Sequence, residues 1–221
     1  MNPFDPEQLP VDAIAGEAPL AAERLTADWL RSRFQSPNPD WQRERFDEAA
    51  WSRRHEMRPA SVLIPLVQRA EGMTILLTRR TAHLTHHAGQ ISFPGGGAEA
   101  HDSSAIDTAL RETEEEIGLD RRHIEVIGTM PDYLTVTGYR VTPVVALVAP
   151  PFELTLDANE VAEAFEVPLA FLMNGMHHQR MSAELPQGLG RRSFYAMPYE
   201  RFFIWGATAG MLRNLFHFLR A

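Results

Sequence analysis

Two apolar segments in the first half of the chain cover residues 61–69 and 73–79 and are separated by a short turn at residues 70–72. Both are apolar on both faces, without strict alternation of apolar and polar positions. Such runs are typical of β-strands in a sheet that is covered on both sides. The pattern predicts two neighbouring buried strands, with Pro65 at a sheet edge or a bulge because proline cannot donate to a central ladder.

A helical pattern precedes these strands. In residues 19–35, the apolar side chains of Leu25, Trp29 and Leu30 recur near helical spacing and predict a helix. Residues 1–17 are rich in proline and acidic side chains and are expected to form a loose arm.

Residues 36–59 are predicted to be a charged linker with one helix that packs on the surface, or else takes part in dimerisation or covers the substrate. The expected organisation is an N-terminal arm and helical extension over residues 1–58, followed by one domain over residues 59–221. A chain of 221 residues suits one domain with appendages.

The second half of the chain predicts more strands. Residues 124–130 and 140–148 have strand-like apolar runs. The loop between them, at residues 131–139, suits either a substrate-side loop or a plain connection.

The C-terminal part predicts a helix over residues 159–165, where Glu160 is either a helix N-terminal charge or a distant catalytic base. A hairpin-like excursion follows at residues 176–198, in which residues 194–197 pair with the sheet. A short strand at residues 202–205 and an apolar terminal helix at residues 206–219 complete the pattern.

An acidic helix lies between these two halves, within FPGGGAEAHDSSAIDTALRETEEEIGL at residues 93–119. Asp102, Ser103 and Ser104 are good N-cap residues, and Gly118 is a natural helix stop. The predicted buried stripe consists of Ile106, Ala109, Leu110, Thr113 and Ile117.

Three carboxylates of this helix, on Glu112, Glu115 and Glu116, fall together at the edge of the packed face, since successive residues turn by about 100°. They repel one another and lie near the helix C-terminus, where negative charge is disfavoured. One interpretation is a solvated acidic face with Arg111 as an ion-pair partner. The other is a site for a hard divalent cation, because clustered carboxylates bind Mg²⁺ together with substrate phosphates.

The glycines that precede the helix favour the second interpretation. Gly95, Gly96 and Gly97 allow a sharp turn and a close approach of the backbone to a ligand. A turn of this kind followed by an acidic helix indicates a metal–phosphate site.

Composition narrows the choice of function. The formal net charge of −8 argues against nucleic acid or an anionic membrane as the main partner. Cysteine is absent, which excludes disulfides and thiolate catalysis and fits a reducing compartment. No apolar run is long enough for a transmembrane helix, and the start MNPFDPEQLP is unlike a signal peptide. A cytoplasmic protein is expected.

The acidic segment resembles the signature of the Nudix hydrolases, G-x5-E-x7-R-E-U-x-E-E-x-G-U, in which U is a bulky apolar residue. Thr113 stands where an apolar residue is usual. If Gly96 is the signature glycine, the loop carries one extra residue and Asp102 takes the early acidic role; a direct count places Ser103 there and Gly97 at the glycine. The matching positions are Arg111, Glu112, Glu115, Glu116, Gly118 and Leu119.

The preceding segment resembles the longer signature of the coenzyme A pyrophosphatase branch, L-L-T-x-R-[SA]-x3-R-x3-G-x3-F-P-G-G. Thr81 and Thr85 depart from it, and at Thr85 the branch has arginine. The matching positions are Leu76, Leu77, Thr78, Arg80, Gly89, Phe93, Pro94, Gly95 and Gly96.

A basic cluster coincides with this second signature. Such residues are often only solvated, but together with the adjacent glycine turn they suit an anionic phosphate. The candidates for substrate binding are Arg79, Arg80, His86, His87, Gly95 and Gly96, with His83 nearby.

The resemblance implies an α/β fold, a Nudix-type α/β/α sandwich around a mixed β-sheet. It implies a Mg²⁺- or Mn²⁺-dependent pyrophosphohydrolase of coenzyme A or acyl-coenzyme A. Glu112, Glu115 and Glu116 would hold the metal and Arg111 would orient them. One of these glutamates or Glu160 would be the general base.

Two alternatives stay open. Thr85 leaves room for ADP-ribose or NADH as substrate on the same scaffold. A non-catalytic nucleotide-binding regulator is the other, although a pure sensor has no need of clustered carboxylates. The expected partner is a small nucleoside-diphosphate compound, with a homodimer as a possible assembly.

Overall fold

The computed structural model of the protein describes residues 5–38, 40–44, 57–82, 88–184 and 191–221. The strands are β1 (Val11–Ile14), β2 (Arg58–Arg69), β3 (Gly72–Arg80), β4 (Ile91–Ser92), β5 (Gly95–Gly97), β6 (Ile124–Thr129), β7 (Tyr133–Leu134), β8 (Tyr139–Val148), β9 (Val161–Pro168), β10 (Gln179–Glu184), β11 (Arg191–Tyr199) and β12 (Phe202–Trp205). The α-helices are α1 (Ala27–Gln35), α2 (Ala105–Ile117), α3 (Leu169–Leu172) and α4 (Gly206–Arg220), and short 3₁₀ turns lie at Pro6–Gln8, Ala22–Leu25, Arg121–His123 and Gly175–His177.

The strands form two sheets. The larger sheet has the order β4-β3-β2-β8-β6, with β5 paired to β2, β7 to β8 and β9 to β3. It is mixed, because β2 and β8 run parallel while the other pairs are antiparallel. The smaller sheet has the order β1-β10-β11-β12.

Helices cover both faces of the larger sheet, as the apolar runs predicted. Alternate residues of β2 face opposite sides: Leu63 packs with Ala109 of α2, whereas Ile64 and Leu66 pack in the core that contains Leu212 of α4. The α/β/α sandwich around a mixed sheet is confirmed.

The prediction that Pro65 lies at an edge or bulge is wrong, since β2 is the central strand between β3 and β8. Proline is tolerated at residue 65 because, among the residues that the structure describes, this position has no strand partner on the β3 side of β2. Residues 66–69 pair with β3 and residues 60–62 pair with β5, so Pro65 falls in the gap between these two partners.

Helix α2 begins and ends where its caps predicted. Ser104 accepts a hydrogen bond from the Asp107 amide at 3.1 Å, and Gly118 closes the helix with a φ of 66°. Ala109, Thr113 and Ile117 are buried, and the Thr113 hydroxyl donates to the Ala109 carbonyl at 2.6 Å. Ile106 is 36% exposed, so the buried stripe is shorter than predicted.

The predicted helix at residues 159–165 is wrong. This segment forms β9, which pairs antiparallel with β3 from Val161↔Arg80 to Pro168↔Thr74. Alanine and glutamate favour a helix locally, but the β3 edge offers a complete ladder of backbone hydrogen bonds, and tertiary pairing overrides weak propensity. Glu160 therefore cannot serve as a helix N-terminal charge.

The expectation of a loose arm is also wrong for the described residues of the N-terminus. Strand β1 pairs antiparallel with β10, and the Ala15 amide donates to the His178 carbonyl at 2.9 Å. The predicted helix of residues 19–35 is α1, preceded by a 3₁₀ turn. Most of the predicted linker helix of residues 36–59 lies outside the described residues. The division at residues 58 and 59 stays a prediction.

The C-terminal elements agree with the pattern. The predicted hairpin is β10 and β11, although residues 194–197 pair within the smaller sheet. The terminal helix, α4, begins directly after β12. Its last carbonyl groups accept hydrogen bonds from Arg24, Arg33 and Asn38 of the N-terminal segment. None of the helices in the described residues combines the length and apolarity needed to cross a membrane.

An ionic cluster around the buried Arg213 joins this helix to both N-terminal and C-terminal segments. The Arg213 guanidinium contacts Glu17 and donates to Glu44 at 2.8 Å, and the Tyr195 hydroxyl donates to Glu44 at 2.5 Å. We call Glu17, Glu44, His178, Tyr195 and Arg213 the Arg213 cluster. Burial opposes ionisation of Glu44, but hydrogen bonds from His217, Tyr195 and Arg213 outweigh it and lower the pKa of Glu44 to about 2.

The His178 ring in this cluster is fully buried, and its neighbours define its protonation. Nε2 faces the Leu172 carbonyl oxygen at 2.8 Å, so it must donate. Nδ1 faces the Arg213 guanidinium at 3.1 Å, so it must accept. The ring is therefore neutral, in agreement with burial lowering the pKa of His178 to about 4.

Candidate active site

Glu116 is the most buried carboxylate of the acidic helix, with 4% of its side chain exposed. It accepts a hydrogen bond from the Gly95 amide at 3.1 Å and lies 3.4 Å from the Arg80 guanidinium. Burial raises the pKa of Glu116 to about 7, and the charges of Glu160 and Glu112 add to the shift. The Gly95 amide and Arg80 oppose it, but they do not supply enough positive charge.

Glu112 lies one turn earlier and is 16% exposed. Its Oε1 is 2.9 Å from the Arg111 guanidinium. Burial raises the pKa of Glu112 despite Arg111, and the charges of Glu115 and Glu160 contribute. Two neighbouring carboxylates of α2 thus share an environment that disfavours their ionised forms.

Glu115 has a different environment from the other two glutamates. Its side chain is 60% exposed and accepts from the Arg111 guanidinium at 2.8 Å. In the part of the chain that the structure describes, no group of three histidine, aspartate or glutamate side chains is assembled closely enough to hold a metal ion as it stands. The joint metal-binding role of Glu112, Glu115 and Glu116 stays a prediction.

Arg111 connects the helix to the loop before it. Its guanidinium donates to both carboxylate oxygens of Asp102, at 2.9 and 3.0 Å, and to the Gly97 carbonyl at 3.1 Å. This bidentate pair holds the pKa of Asp102 well below its usual range. Asp102 is thereby an anchor for Arg111, which in turn contacts Glu112 and Glu115.

Gly95, Gly96 and Gly97 form β5, which pairs antiparallel with β2, so the predicted sharp turn is wrong. The strand lies directly against α2. A Cβ atom on Gly96 would lie 2.4 Å from the Glu112 carboxylate, and one on Gly95 would lie 2.4 Å from the Ser61 carbonyl oxygen. Gly95 also has a φ of 148°, which side chains rarely adopt. Only glycine therefore allows this backbone to reach both β2 and the carboxylates.

Arg80 and Glu160 complete the group of charged side chains around Glu116. Arg80 ends β3, and its Nη2 lies 3.9 Å from Glu160, which directly precedes β9. A single arginine thus lies between Glu116 and Glu160, while Glu112 relies on Arg111. These side chains face one large cavity of about 770 Å³.

The cavity also collects residues that the sequence did not single out. The Arg58 guanidinium lies over the Tyr139 ring at 4.2 Å at one part of the wall. The loop at residues 131–139 contributes Thr135, Val136 and Thr137, which favours the substrate-side interpretation of that loop. Arg192, Trp205, Gly206, Ala207, Thr208 and Met211 enter from the smaller sheet and α4. No local motif marks Arg58, Arg192 or Met211, because the fold brings them together from distant segments.

The remaining predicted residues are placed differently. Arg79 is separate from the carboxylates: it pairs with Glu163 at 3.2 Å and lines a smaller cavity of about 230 Å³. His86, His87 and the departing Thr85 lie outside the described residues.

The donor set suits a hard divalent cation. Glu112 and Glu116 offer oxygen ligands, which Mg²⁺ and Mn²⁺ prefer. Their raised pKa values mean that an added positive charge would stabilise the ionised forms. Because Gly96 has no Cβ, the Glu112 carboxylate has room to lie against the backbone at this residue. The residues present therefore fit such an ion.

Comparison with known families gives an independent result. The family model of the NUDIX domain matches residues 57–186. The chain is 41% identical over 196 residues to the uncharacterized Nudix hydrolase NudL of Escherichia coli K12, an alignment that covers 86% of this chain and 93% of that protein. NudL of the O139:H28 strain is 40% identical over the same length. Among solved structures, the Nudix hydrolase RenU of M. smegmatis has a TM-score of 0.44 and 25% identity, covering 51% of this chain and 71% of that one.

Proposed function

The chain belongs to the Nudix hydrolase family, whose members act on diphosphate substrates, and on that premise we propose that it hydrolyses coenzyme A or an acyl-coenzyme A. Water would break one P–O bond of the diphosphate. The products would be 3′,5′-ADP and 4′-phosphopantetheine or its acyl form. Family membership supports an enzyme over the regulator that the sequence left open.

The observation that carries the proposal is the composition of the large cavity. One part of its wall holds Glu112, Glu116 and Glu160, where a diphosphate would react, and another is apolar, with Val141 and Met211. Its volume of about 770 Å³ lies in the range of cavities that bind whole organic ligands. A long substrate with a central diphosphate and less polar ends fits this division, as does the resemblance of residues 76–96 to the coenzyme A branch.

Nudix hydrolases generally use divalent ions such as Mg²⁺ or Mn²⁺. In our proposal, Glu112, Glu115 and Glu116 hold the ion, which when bound supplies charge neutralisation to the diphosphate and lowers the pKa of a water molecule.

The side chains of this chain would do the rest. Arg111, fixed by Asp102, keeps Glu112 and Glu115 oriented. Arg80 places a guanidinium at the buried side of the cavity, where it can donate to a phosphate oxygen. Either Glu160 or one of the three glutamates of α2 takes the proton of the attacking water.

The direct test is incubation of the purified protein with coenzyme A and Mg²⁺ or Mn²⁺, followed by detection of 3′,5′-ADP. We expect product with either ion and none with a chelator. The Glu116→Gln variant should lose nearly all turnover while its circular dichroism spectrum stays that of the wild type. Absence of product from coenzyme A and acetyl-coenzyme A under all these conditions would refute the substrate assignment.

A second candidate substrate is ADP-ribose or NADH, and the observation in its favour is Thr85, where the coenzyme A branch has arginine. Both have a diphosphate between two nucleoside or sugar groups, so the same carboxylates would act. Rates for coenzyme A, ADP-ribose and NADH, measured side by side with Mg²⁺ present, decide between the candidates. The first proposal requires the highest kcat/KM for coenzyme A or its acyl derivative.

A further inference from the structure

We propose that the small cavity lined by Arg79 and Arg201 binds a phosphate monoester that the substrate carries apart from its diphosphate. We call it the phosphomonoester subsite and define it by Arg79, Arg201 and Gln90. The inference rests on the proposed function, because it assigns a second group of the same substrate to a second site.

The two cavities adjoin one another. The small cavity has a volume of about 230 Å³, which is enough for one phosphate group and its contacts. Gln90, Ile91 and Trp205 line both cavities, so they form a shared wall. A ligand held at Glu116 can therefore extend past Gln90 and Trp205 to the two arginines.

The two arginines are held side by side before any ligand binds. Arg79 lies 3.2 Å from Glu163, and Arg201 contacts both oxygens of the same carboxylate. The Arg201 guanidinium also lies over the Phe202 ring at 4.4 Å. One carboxylate thus fixes two guanidinium groups, and the three together keep a net positive charge.

The chemistry of this group fits a phosphate monoester. Two guanidinium groups offer ten N–H donors, of which one carboxylate can satisfy only a part. A phosphate dianion accepts several charge-assisted hydrogen bonds, and arginine forks match its geometry. Both arginines remain partly exposed, at 43% for Arg79 and 62% for Arg201, so a ligand can reach them.

One residue of the same cavity opposes this binding. Glu7 lines the small cavity, and a carboxylate there reduces the positive potential that a phosphate would meet. We therefore expect the subsite to favour substrates with the phosphate monoester only moderately. Removal of the Glu7 charge should strengthen that preference. This gives the inference a test of the opposite sign.

The experiment compares coenzyme A with 3′-dephospho-coenzyme A, which differ only in the phosphate monoester. For the wild type we expect kcat/KM to be about tenfold higher with coenzyme A, since a charge-assisted contact is worth about one factor of ten. Arg201→Gln should abolish this preference, because it lowers kcat/KM for coenzyme A far more than for 3′-dephospho-coenzyme A. Glu7→Gln should increase it.

Arg69→Gln is the matched control. Arg69 forms a bidentate pair with Glu166 on the same strand as Glu163, but it lines neither cavity. This variant should keep the full preference. A preference that Arg201→Gln and Arg69→Gln leave equally intact, or that the wild type lacks, would overturn the subsite.

A binding measurement separates failure of the subsite from failure of the proposed function. Calorimetry with 3′,5′-ADP and 5′-AMP needs no turnover. Tighter binding of 3′,5′-ADP to the wild type, lost in Arg201→Gln, would support the subsite even if coenzyme A is not hydrolysed. Equal affinities for the two nucleotides would refute it, whatever the enzyme hydrolyses.

Discussion

The Arg213 cluster and the active site both shield carboxylates from water, but the pKa values of these carboxylates are shifted in opposite directions. In the Arg213 cluster, Glu44 receives hydrogen bonds from Arg213 and Tyr195, and its pKa is lowered to about 2. In the active site, Glu116 has a backbone amide and an arginine at 3.4 Å, and its pKa is raised to about 7.

The difference shows which carboxylates serve the fold and which serve a ligand. A half-buried carboxylate with several direct donors, such as Glu44, is stabilised within the protein itself, so it can connect distant segments of the chain. A buried carboxylate with few donors and like charges beside it destabilises the free protein. Such an arrangement is understandable where a cation completes it, and this supports the assignment of Glu116 to the reaction.

The largest expected effect is the loss of catalysis when the charge of Glu116 is removed. Glu116→Gln keeps the shape of the side chain and removes its charge. We expect kcat to fall by about 1,000-fold, because a bound metal supplies several kcal/mol of charge stabilisation. The melting temperature without metal should stay equal or rise, since a buried, poorly satisfied charge is gone. Steady-state kinetics and thermal unfolding on the same sample give both values, and a variant that keeps wild-type turnover would contradict the role.

The next effect is on stability, in the other cluster. Arg213→Met leaves Glu17 and Glu44 without their guanidinium partner, and loss of one member of a buried pair costs about 3 kcal/mol of unfolding free energy. Urea unfolding measures it. Arg69→Met, which breaks the more exposed pair with Glu166, should cost less than about 1 kcal/mol. Equal losses in the two variants would contradict the claim that the Arg213 cluster contributes more to stability than a more exposed ion pair.

The two regions also predict opposite pH dependences of stability. Between about pH 6.5 and 4, the unfolded chain protonates His178 while the folded chain does not, so the unfolding free energy falls as the pH is lowered. Between about pH 4.5 and 7, the folded chain protonates Glu116 while the unfolded chain does not, so this group lowers the unfolding free energy as the pH rises.

Urea titrations across this pH range, without metal, test both predicted pH dependences of the unfolding free energy. Each unit of pKa difference corresponds to about 1.4 kcal/mol, so each of these two groups is expected to change the unfolding free energy by up to about 3 kcal/mol. His178→Gln should remove the loss on the acid side, and Glu116→Gln should remove the loss on the neutral side. If either variant keeps the full wild-type pH profile, the corresponding group is not the one that titrates.

The smallest expected effect concerns strand β5, which lies beside the carboxylates. Gly96→Ala adds a Cβ that must displace the Glu112 carboxylate, and we expect kcat/KM to fall by about tenfold from this misplacement. Gly97→Ala is the control, because nothing lies within 4 Å of a Cβ there. Similar losses in both variants would show that a general disturbance of β5, and not the Glu112 contact, is responsible.

The sequence predicted those elements whose determinants are local. Helix α2 was found with its caps and its acidic residues, because Ser104, Gly118 and the helical spacing act within one turn. The strands β2, β3, β6 and β8 and helix α4 were found from their apolar runs. Their partners did not have to be known for these predictions.

The errors share a physical cause. The segment of β9 has helical propensity, and only the β3 edge, about 90 residues earlier, makes it a strand. Strand β1 pairs with β10, and Asp12 contacts Ser182 across 170 residues of chain. The sequence alone does not indicate a role for Arg213 or Arg201, since their chemistry arises only from the residues that the fold brings beside them.

The most direct test of the central claim is the affinity of the folded protein for Mn²⁺, measured by calorimetry or electron paramagnetic resonance without substrate. We predict saturable binding by the wild type and at least tenfold weaker binding by Glu116→Gln, while Glu44→Gln in the Arg213 cluster keeps wild-type affinity. The same Mn²⁺ affinity in the wild type and Glu116→Gln, or none in either, would contradict the claim that this buried carboxylate is completed by a cation.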